Sequence, residues 1–432
     1  MTNNNNQNSV PVKQLIVLGN GFDLSCGLKS SYSDFFNYRF KQISEQSTVE
    51  EYYLKNIQNV PMEKLKKLLN NEVSIWDIIF ITEFINAKQN KNLEWNNIEH
   101  MIYKVLHYIS TYDESTKLSD VGKQFLKNIS TSFNYSKFLF EELQKFEHNF
   151  EEYILNQKLN NNNYLINEVP LKLSKIIDFN VLLNSFYSTQ SKDVSFLSFN
   201  YTLSKEDVEI IKTKDVYRYA VPSNNSKDRT NNNLDSIINK WINIHGKVDY
   251  NVCFRNPIIF GIDSNIVNKT NHTSPEYKLE IKFTKTFRVA INNSLHSITS
   301  LPKNINLITF YGHSLSSADF SYFESIFDMY NLYSSELKLE FFFGTYDFTW
   351  EEKNHKDIDY LKLLEYVNNQ NDSIKQSLMT NIYNLLNDYG SSLSNNHGDN
   401  LLHRLLLEGR ISFKEDMGSF KLTEEQIKSI KK

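Results

Sequence analysis

The chain contains 432 residues, with 47 Lys and Arg against 51 Asp and Glu and a formal net charge of -4. A chain of this length is expected to fold as two or three units. The nearly balanced charge excludes a domain-wide basic field that would hold nucleic acid by neutralising phosphates, so nucleic acid is not an expected partner. The two cysteines, Cys26 and Cys253, form no CxxC motif. This argues against a disulfide scaffold and a structural zinc site, and no metal is expected.

Residues 1–11 are polar and rich in asparagine, and they predict a disordered tail. They lack the basic and apolar regions of a secretory signal. No stretch of the sequence approaches the roughly 18 apolar residues that a membrane span needs. The sequence therefore predicts a cytoplasmic protein without a membrane partner.

The first strand is predicted at Leu15–Leu18, a short run that is as uniformly apolar as a buried parallel strand. From Ser30 to about Leu159, apolar residues recur every three or four positions, which predicts a helical lobe inserted after this strand. The segments with this spacing are Tyr32–Ile43, Tyr52–Leu69, Ile75–Ile85, Trp95–Ile109 and Val121–Leu159. The length of the last segment predicts a pair of helices or an edge of the lobe, and the asparagines at 160–163 predict a linker or a loop after it.

Strand patterns resume in the second half, with helical patterns at Ser274–Leu295 and Ala318–Tyr330 between them. The predicted strands are Val194–Phe199, Val216–Val221, Ile242–Ile244, Ile258–Phe260, Ile305–Tyr311 and Leu337–Phe343. Strands that alternate with helices predict an α/β fold with a largely parallel, Rossmann-like sheet. The sheet is expected to begin at Leu15 and to be completed after Asp193.

We therefore predict an α/β domain from residues 12–45 and 185–348, an inserted helical lobe at 46–184, and a helical C-terminal region at 349–432. Within the last region, Asn396–His403 resembles the start of an ankyrin repeat. One such unit cannot stack, because a repeat array needs at least about three. The region is interpreted as a helical appendage.

A glycine turn, Gly19-Asn20-Gly21-Phe22-Asp23, separates the first strand from the next predicted helix. Two glycines this close together let the backbone approach a phosphate while N–H groups at the helix start point towards it. The same pattern also serves ordinary tight turns. A second crossing of this kind, with Gly312 and Ser314, follows the strand at Ile305–Tyr311. Its alternative interpretation is an ordinary helix cap.

Polar residues follow two other predicted strands. Asn200 ends the strand at Val194–Phe199, and His245 ends the strand at Ile242–Ile244. Ligands of open α/β sheets bind at the carboxyl ends of strands, so an amide and an imidazole at these ends suit a binding or catalytic site. The alternatives are an asparagine that bonds its own backbone and a structural histidine. Glu99, four residues after Trp95 on a predicted helix, is a secondary candidate, although such a pair is more often a packing contact.

Together these blocks resemble the AbiH family of bacteriophage abortive infection proteins. The resemblance spans about residues 13–345 and is carried by Leu15–Leu24, Gly27-Leu28, Tyr32–Phe35, Trp95–Glu99, Ser198–Thr202, Ile244–Gly246, Phe260–Asp263 and Tyr311–Leu315. The order of the blocks is also similar to that of sirtuin-type domains, in which comparable turns surround NAD. Asp263 is a further secondary candidate on this basis.

The resemblance implies that Gly19, Asn20 and Gly21 bind the pyrophosphate of NAD and that the adjoining Phe22 and Asp23 belong to the same cofactor-binding turn. It implies that Asn200 lies beside the nicotinamide ribose and that His245 is catalytic. Gly312 and Ser314 would hold the adenosine side. The chain departs from true sirtuins because it lacks their four-cysteine zinc module, and because Thr202 replaces the Asp that often follows the sirtuin Asn. Protein deacetylation is therefore not expected.

The implied chemistry is cleavage between nicotinamide and ribose through an oxocarbenium-like transition state. His245 would accept a proton from water or from a ribose hydroxyl. Two alternatives remain open at this point: a nucleotide-binding sensor without catalysis, and a toxin that acts on nucleic acid or translation. A phage-derived trigger and a homo-oligomer are compatible with all three.

Overall fold

The computed structural model of the protein describes residues 11–45, 73–90, 98–131, 134–178, 181–182, 193–211, 215–216, 237–248, 258–264, 267, 273–293, 300–346, 360–393 and 398–418. A parallel sheet of six strands lies at its centre. In chain order the strands are β1 (Gln14–Leu18), β2 (Val194–Ser198), β3 (Ile238–Asn243), β4 (Leu307–Tyr311), β5 (Lys338–Tyr346) and β6 (Ile411–Gly418). Their order across the sheet is β3-β2-β1-β4-β5-β6, the order of a Rossmann sheet.

β1 is the axis of this sheet because both of its neighbours pair with it along its whole length. Leu18 lies opposite Ser198 of β2 and opposite Tyr311 of β4, and Ser198 lies opposite Asn243 of β3. The four strands therefore end at the same level. The residues that follow them emerge side by side at the carboxyl edge of the sheet.

Both faces of β1 are covered, which explains its largely apolar sequence. Leu15 and Val17 face a core that includes Phe310 and Phe323, whereas Ile16 and Leu18 face a core on the opposite side of the sheet. The residues of β1 from Leu15 to Leu18 are all 0% exposed. Side chains that alternate between two buried faces leave no exposed position in the strand, and its one polar residue, Gln14, is buried and donates to the carbonyl oxygen of Ile176 (2.8 Å).

The helices of the described chain fall into three groups along the sequence. Those before β2 are α1 (Gly21–Ser25), α2 (Tyr32–Glu45), α3 (Ile75–Asn90), α4 (Ile98–Thr111), α5 (Asp120–Ser130), α6 (Tyr135–Asn160) and α7 (Val169–Ile176). Those between β2 and β5 are α8 (Lys205–Ile210), α9 (Pro275–Glu280), α10 (Lys285–Asn293) and α11 (Phe320–Met329). Those between β5 and β6 are α12 (Tyr360–Ser392) and α13 (Leu401–Leu407).

The helical lobe has its own apolar core, which α2 enters through Phe35 and Phe36. At the centre of this core, the Trp76 indole N–H donates to the carbonyl oxygen of Leu139 (3.0 Å). α7 packs instead on the sheet, where Val169 and Leu173 join the core beside Ile16 and Leu18. In packing terms the lobe therefore includes α2, and α7 belongs with the sheet.

The predicted α/β class, with its parallel sheet and inserted helices, is confirmed. Five predicted strands are also confirmed to within a few residues, at Leu15–Leu18, Val194–Phe199, Ile242–Ile244, Ile305–Tyr311 and Leu337–Phe343. The helix pair predicted within Val121–Leu159 is confirmed as α5 and α6. A π-helical turn at Tyr164–Glu168 follows α6 almost directly, so the asparagines at 160–163 form a short loop, which is one of the two predicted alternatives. No helix of the described residues is long and apolar enough to cross a bilayer.

Three predictions of local structure were wrong. Residues 258–260 form no strand, and only an isolated bridge between Ile262 and Thr284 occurs nearby. The helix predicted at Ser274–Leu295 breaks at Thr284, between α9 and α10. Residues 215–216, at the start of the predicted strand Val216–Val221, are helical. The described residues do not include the rest of the predicted strand Val216–Val221. They also do not include Tyr52–Leu69, Trp95, Cys253 or residues 396–397.

The C-terminal region is helical at α12 and α13, as predicted, but it also supplies β6, which the sequence analysis missed. β6 pairs in parallel with β5 from Leu339 opposite Ile411 to Tyr346 opposite Gly418. The segment Ile411-Ser412-Phe413-Lys414 alternates apolar and polar side chains, a pattern of half-buried strands. A pattern this short, next to a long helix, carries little weight in the sequence alone.

β6 is tied to the far side of the sheet domain by buried charges. The Asp416 carboxylate, 1% exposed, binds Lys172 (2.6 Å) and Lys175 (2.7 Å) of α7 and accepts a hydrogen bond from the Tyr311 hydroxyl. Burial opposes ionisation, but the hydrogen bonds from Lys172 and Lys175 outweigh it and hold the pKa of Asp416 below its usual value.

We expect Asp416→Asn to lower the free energy of unfolding by about 3–5 kcal/mol, because it leaves the buried Lys172 ammonium without a charged partner. Urea denaturation at neutral pH measures this loss. The exposed neighbour Glu415 offers a matched control, and Glu415→Gln should change the stability by less than about 0.5 kcal/mol. Equal stabilities for the two variants would contradict the structural role of Asp416.

Candidate functional site

Two glycine turns meet where β1 and β4 end. The N–H of Gly19 donates to the carbonyl oxygen of Tyr311 (2.9 Å), and that of Gly21 donates to the carbonyl oxygen of Gly312 (2.7 Å). A Cβ on Gly19 would lie 2.5 Å from the Gly312 oxygen, and one on Gly21 would lie 2.7 Å from the Gly312 Cα. Gly312 has a left-handed φ of +67°, and its own Cβ would lie 2.6 Å from the Gly21 carbonyl carbon. We call this backbone contact the glycine clasp.

The clasp changes what is expected of the first turn. The N–H groups of Gly19 and Gly21 donate to β4 and the residue after it, and the N–H of Phe22 donates to the Gly19 oxygen (3.0 Å). These three groups bind the protein itself and are not directed at an incoming phosphate. The pyrophosphate role of Gly19, Asn20 and Gly21 stays a prediction, and it depends on other groups at the turn.

A cavity of about 430 Å³ lies over the carboxyl ends of β1, β2, β3 and β4. Among the predicted site residues, its lining includes Gly19, Asn20, Gly21, Glu99, His245, Gly312 and Ser314. The other lining residues are Ser30, Ser31, Tyr32, Ser33, Phe199, Tyr201, Lys285, His313, Ser316 and Asp319. Ligands of doubly wound sheets bind where the strand order reverses, and here that point is β1 with β4 beside it.

Asn20 holds the entrance to α2. Its side-chain oxygen accepts from the Ser30 hydroxyl (2.7 Å), and its amide donates to the Ser30 carbonyl oxygen (3.1 Å). The Ser31 hydroxyl accepts from the N–H of Asp34 (3.0 Å) and so caps α2. Ser31, Tyr32 and Ser33 line the cavity, which places the N-terminus of a 14-residue helix at its wall.

Two buried side chains at strand ends carry unpartnered polar atoms. His245 is 2% exposed, touches the ring edges of Phe199 and Tyr322, and has no hydrogen-bond partner at Nε2. Burial lowers its pKa to about 3, and the neighbouring Lys285 adds to the shift, so the imidazole is neutral near pH 7. Asn200 is 1% exposed; its oxygen accepts from the Ser198 hydroxyl (2.9 Å), and its Nδ2 has no partner. Asn200 is not part of the cavity lining described above.

Phe22 and Asp23 lie beneath the cavity and do not line it. Phe22 is fully buried with its ring 5.7 Å from that of Tyr311. The Asp23 carboxylate accepts from the hydroxyls of Tyr164 (2.5 Å) and Thr202. Burial raises the pKa of Asp23 to about 6 in spite of these two hydrogen bonds. Asp23 therefore ties the first turn to β2 and the π-helical turn, and its contacts are those of a structural residue.

A buried charge cluster forms the lobe side of the cavity. Nζ of Lys285, at the start of α10, lies 2.6 Å from Glu99 Oε1 and 2.7 Å from Asp319 Oδ1. Burial opposes the charge on Lys285, but the two carboxylates outweigh it, so its pKa is raised. His313 Nδ1 accepts the N–H of Leu315 (2.9 Å), which places the ring proton on Nε2, 3.5 Å from Asp319 Oδ2.

The segment around Asp263 positions this cluster. Ile262 exchanges backbone hydrogen bonds with Phe283 and Lys285, each 3.0 Å long. A Cβ on Gly261 would lie 2.6 Å from the Phe283 oxygen, so only glycine lets the two backbones approach this closely. Asp263 itself accepts from the Ser321 hydroxyl (2.7 Å) and does not line the cavity. Its role is to hold α11 against this segment.

A second cavity, of about 490 Å³, lies on the other side of the glycine clasp. It shares Gly21, Gly312, His313 and Ser314 with the first. The rest of its lining comes from Ser25, Tyr311, β5 and α12, including Phe342, Phe343, Ile374 and Leu378. Asn381 of α12 donates to the Ser314 carbonyl oxygen (2.9 Å). Gly312 and Ser314 therefore stand between the two cavities.

Sequence reasoning missed Lys285 as a site residue, and it did not assign roles to Asp319, Tyr32 or Tyr201. Nothing in the local sequence distinguishes Lys285 as a site residue, because Lys278 and Lys282 lie in the same segment. Asp319 lies at the start of the helix after the Gly312 turn, where a helix-capping residue is also expected. Their proximity follows from the tertiary fold. Within the described part of the chain, no group of three or more His, Cys, Asp or Glu residues is arranged to hold a metal ion.

The fold and the cavity define a Rossmann-like α/β protein in which an inserted helical lobe closes over the carboxyl edge of the sheet. The model of the family "Bacteriophage abortive infection AbiH" matches residues 15–341, more than half of the 432-residue chain. The chain therefore belongs to the AbiH family, and membership implies a role in abortive infection against bacteriophage. Comparison with curated proteins and with solved structures found no significant match.

We expect Gly312→Ala to destabilise the protein by at least about 1–3 kcal/mol, because a Cβ there strains a left-handed residue and meets the backbone of Gly21. Gly344→Ala is the matched control, since its Cβ meets nothing within 4 Å. Urea denaturation compares the two variants with the wild type. If both variants unfolded at the same urea concentration, the close backbone contact at Gly312 would not be needed for stability.

Asp23 gives a pH-dependent prediction. Its pKa is 3.8 in the unfolded chain and about 6 in the folded protein, so folding favours the neutral carboxyl group. The stability from this group is present below pH 3.8 and is lost as the pH rises to about 6. Between pH 4 and pH 7 we expect wild type to lose about 2 kcal/mol relative to Asp23→Asn. If the stabilities of wild type and Asp23→Asn changed in parallel with pH, this prediction would be wrong. Asp120→Asn, a substitution of an exposed residue, serves as the control.

Proposed function

We propose that the protein acts in abortive infection by binding NAD in the cavity at the carboxyl edge of the sheet and cleaving the bond between nicotinamide and ribose. The observation that carries the proposal is the unpartnered Nε2 of His245 in the wall of that cavity. Nearly all buried polar atoms in native proteins have a partner, and leaving one without a partner costs about 1–3 kcal/mol. A bound ligand recovers that free energy.

The two cavities support a ligand with two separate ends. Each has a volume within the range of about 300–1,000 Å³ that is typical of small-molecule sites. They meet at Gly312 and Ser314, so a dinucleotide laid across the glycine clasp would place one nucleoside in each. The first cavity, which holds His245, would take the nicotinamide ribose.

The N-terminus of α2 supports binding of the pyrophosphate. Helix N-termini attract anions because their first N–H groups and the helix dipole point outward. Ser31 and Ser33 add hydroxyl groups at the cavity wall. Because the N–H groups of Gly19 and Gly21 are used in the clasp, we assign the phosphate contacts to Asn20 and to the first turn of α2.

The reaction that fits this site is hydrolysis of NAD to ADP-ribose and nicotinamide. The bond from C1′ to the pyridinium nitrogen breaks, and its electron pair leaves with nicotinamide, which becomes neutral. No general acid is needed for this leaving group. The oxygen of water then bonds to C1′, and one proton of that water must be accepted. Asn200 would orient the ribose or the water, and His245, neutral at pH 7, would hydrogen-bond through Nε2.

A non-catalytic nucleotide sensor is the second candidate, and two observations favour it. Asn200 does not line the cavity, and the pKa of His245, near 3, makes its imidazole a weak base. In that case the same pocket would bind NAD without cleaving it, and growth arrest would depend on another part of the chain or on a partner.

We expect purified full-length protein to release nicotinamide from NAD and His245→Ala to release it at least about 100-fold more slowly, because the variant loses the hydrogen bond that orients the reacting groups. Chromatography of nicotinamide measures the reaction, and NAD content in phage-infected cells tests it in context. His148→Ala, on the surface of α6, is the matched control and should leave the rate unchanged.

The outcomes separate the two candidates. Tight NAD binding by calorimetry, with the ligand intact after long incubation and constant NAD in infected cells, would establish the sensor and reject the enzyme. Equal nicotinamide release by His245→Ala and wild type would remove the role of His245 but keep the activity.

A further inference from the structure

The charge cluster on the lobe side of the cavity contains one carboxylate that is better placed than the other to meet a substrate. Glu99, Lys285 and Asp319 all line the cavity, but their side chains are 17%, 2% and 11% exposed, respectively. Glu99 is the second residue of α4 and belongs to the inserted lobe. Lys285 follows Phe283, which packs in the core of the lobe, whereas Asp319 follows β4, so the cluster joins the lobe to the sheet across the cavity.

The two carboxylates differ in their charge state. Burial opposes ionisation of Asp319, but Lys285 and the hydrogen bond from His313 outweigh it and hold its pKa well below the usual value. Burial raises the pKa of Glu99 to about 7, with Lys285 opposing the shift and Asp319 adding to it. Asp319 is therefore ionised at neutral pH, whereas Glu99 exchanges a proton there.

His245 is poorly suited to act as the general base. Its side chain is more deeply buried than that of Glu99, and its pKa is about 3. A general base is most effective when its pKa lies near the working pH. The water that attacks C1′ must lose one proton, and a neutral imidazole of this kind is a weaker acceptor for it than a carboxylate in the same cavity.

We propose that Glu99, carried into the site by the helical lobe, is the base that accepts the proton of the attacking water, and that Lys285 positions it. The inference rests on the proposed cleavage of NAD. As the water oxygen bonds to C1′, one water proton passes to the Glu99 carboxylate and is later released to solvent. Lys285 holds Oε1 of Glu99 at 2.6 Å and thereby fixes where the carboxylate stands.

The pH dependence of the reaction follows from the groups around Glu99. Those that face it or its partners are Lys285, Asp319, Asp263, Tyr32, Tyr201, His245 and His313. The pKa values of Tyr32 and Tyr201 are raised by burial, so both phenols stay protonated. Lys285 stays charged and Asp319 ionised. Activity should therefore rise with pH as Glu99 loses its proton near pH 7.

The test measures nicotinamide release from NAD by the purified full-length chain between pH 5.5 and 9, together with calorimetric binding of ADP-ribose. We expect Glu99→Gln to lower kcat by at least about 100-fold and to abolish the acidic limb of the pH profile, with a Kd for ADP-ribose within about threefold of wild type. Glu99→Asp should keep the limb at a reduced rate. The limb should persist in His313→Gln, which excludes that histidine as its source.

Glu141→Gln is the matched control, because Glu141 lies on the surface of the same lobe and pairs only loosely with Lys137 (3.6 Å). It should leave the rate and the pH profile unchanged. If Glu99→Gln retains the rate and the limb while His245→Ala is inactive, the inference is overturned and the proposed function stands. If wild type binds NAD but releases no nicotinamide, the proposed function fails, and the role of Glu99 as a base fails with it.

Discussion

The contact between two backbones at the glycine clasp is the constraint on which the site depends. Gly19, Gly21 and Gly312 approach so closely that no side chain fits between the turns. This contact sets the start of α1, brings Phe22 onto Tyr311 and places Asn20 where Ser30 can bind it. It also puts Gly312 and Ser314 between the two cavities. A glycine-rich turn that resembles a phosphate-binding loop in sequence therefore connects β1 to the turn after β4 through backbone hydrogen bonds.

Buried ion pairs join helices of the lobe to segments that follow β2 and β3, and another joins α7 to β6. Glu147 of α6 binds Arg288 of α10 (2.8 Å), and Lys158 of α6 binds Asp207 of α8 (2.9 Å). Glu99 binds Lys285 in the same way, and Lys172 of α7 binds Asp416. Apolar surfaces tolerate small shifts, but paired charges in a dry environment lose much free energy when they separate. Such pairs therefore favour one position of the lobe over the cavity.

The sequence predicted those parts of the fold that local patterns determine. The apolar run Leu15–Leu18 of β1, the mostly apolar β2 and the helix pair at α5 and α6 are continuous or repeated patterns that can be recognised without tertiary information. Most of the predicted residues that line the cavity follow a strand, as Gly19, His245 and Gly312 do, and Glu99 was named from its place on a predicted helix. Lys285 and Asp319 were not, because they are about 35 residues apart in the chain and become neighbours through the contact of Ile262 with the start of α10. β6 was missed because such a short alternating segment forms a strand only by pairing with the free edge of β5.

The position of β6 has a consequence for how the sheet ends. β5 carries three successive phenylalanines, and Phe341 is stacked between Phe310 of β4 (4.7 Å) and Phe413 of β6 (5.9 Å). Without β6, that aromatic strand would present unpaired N–H and carbonyl groups, which is the template on which chains aggregate. The outer strands of the described sheet are instead β3 and β6, which carry the charged residues Lys240, Lys414 and Glu415. The C-terminal strand, which lies beyond the residues matched by the family, thus covers the edge of the sheet that the aromatic β5 would otherwise leave open.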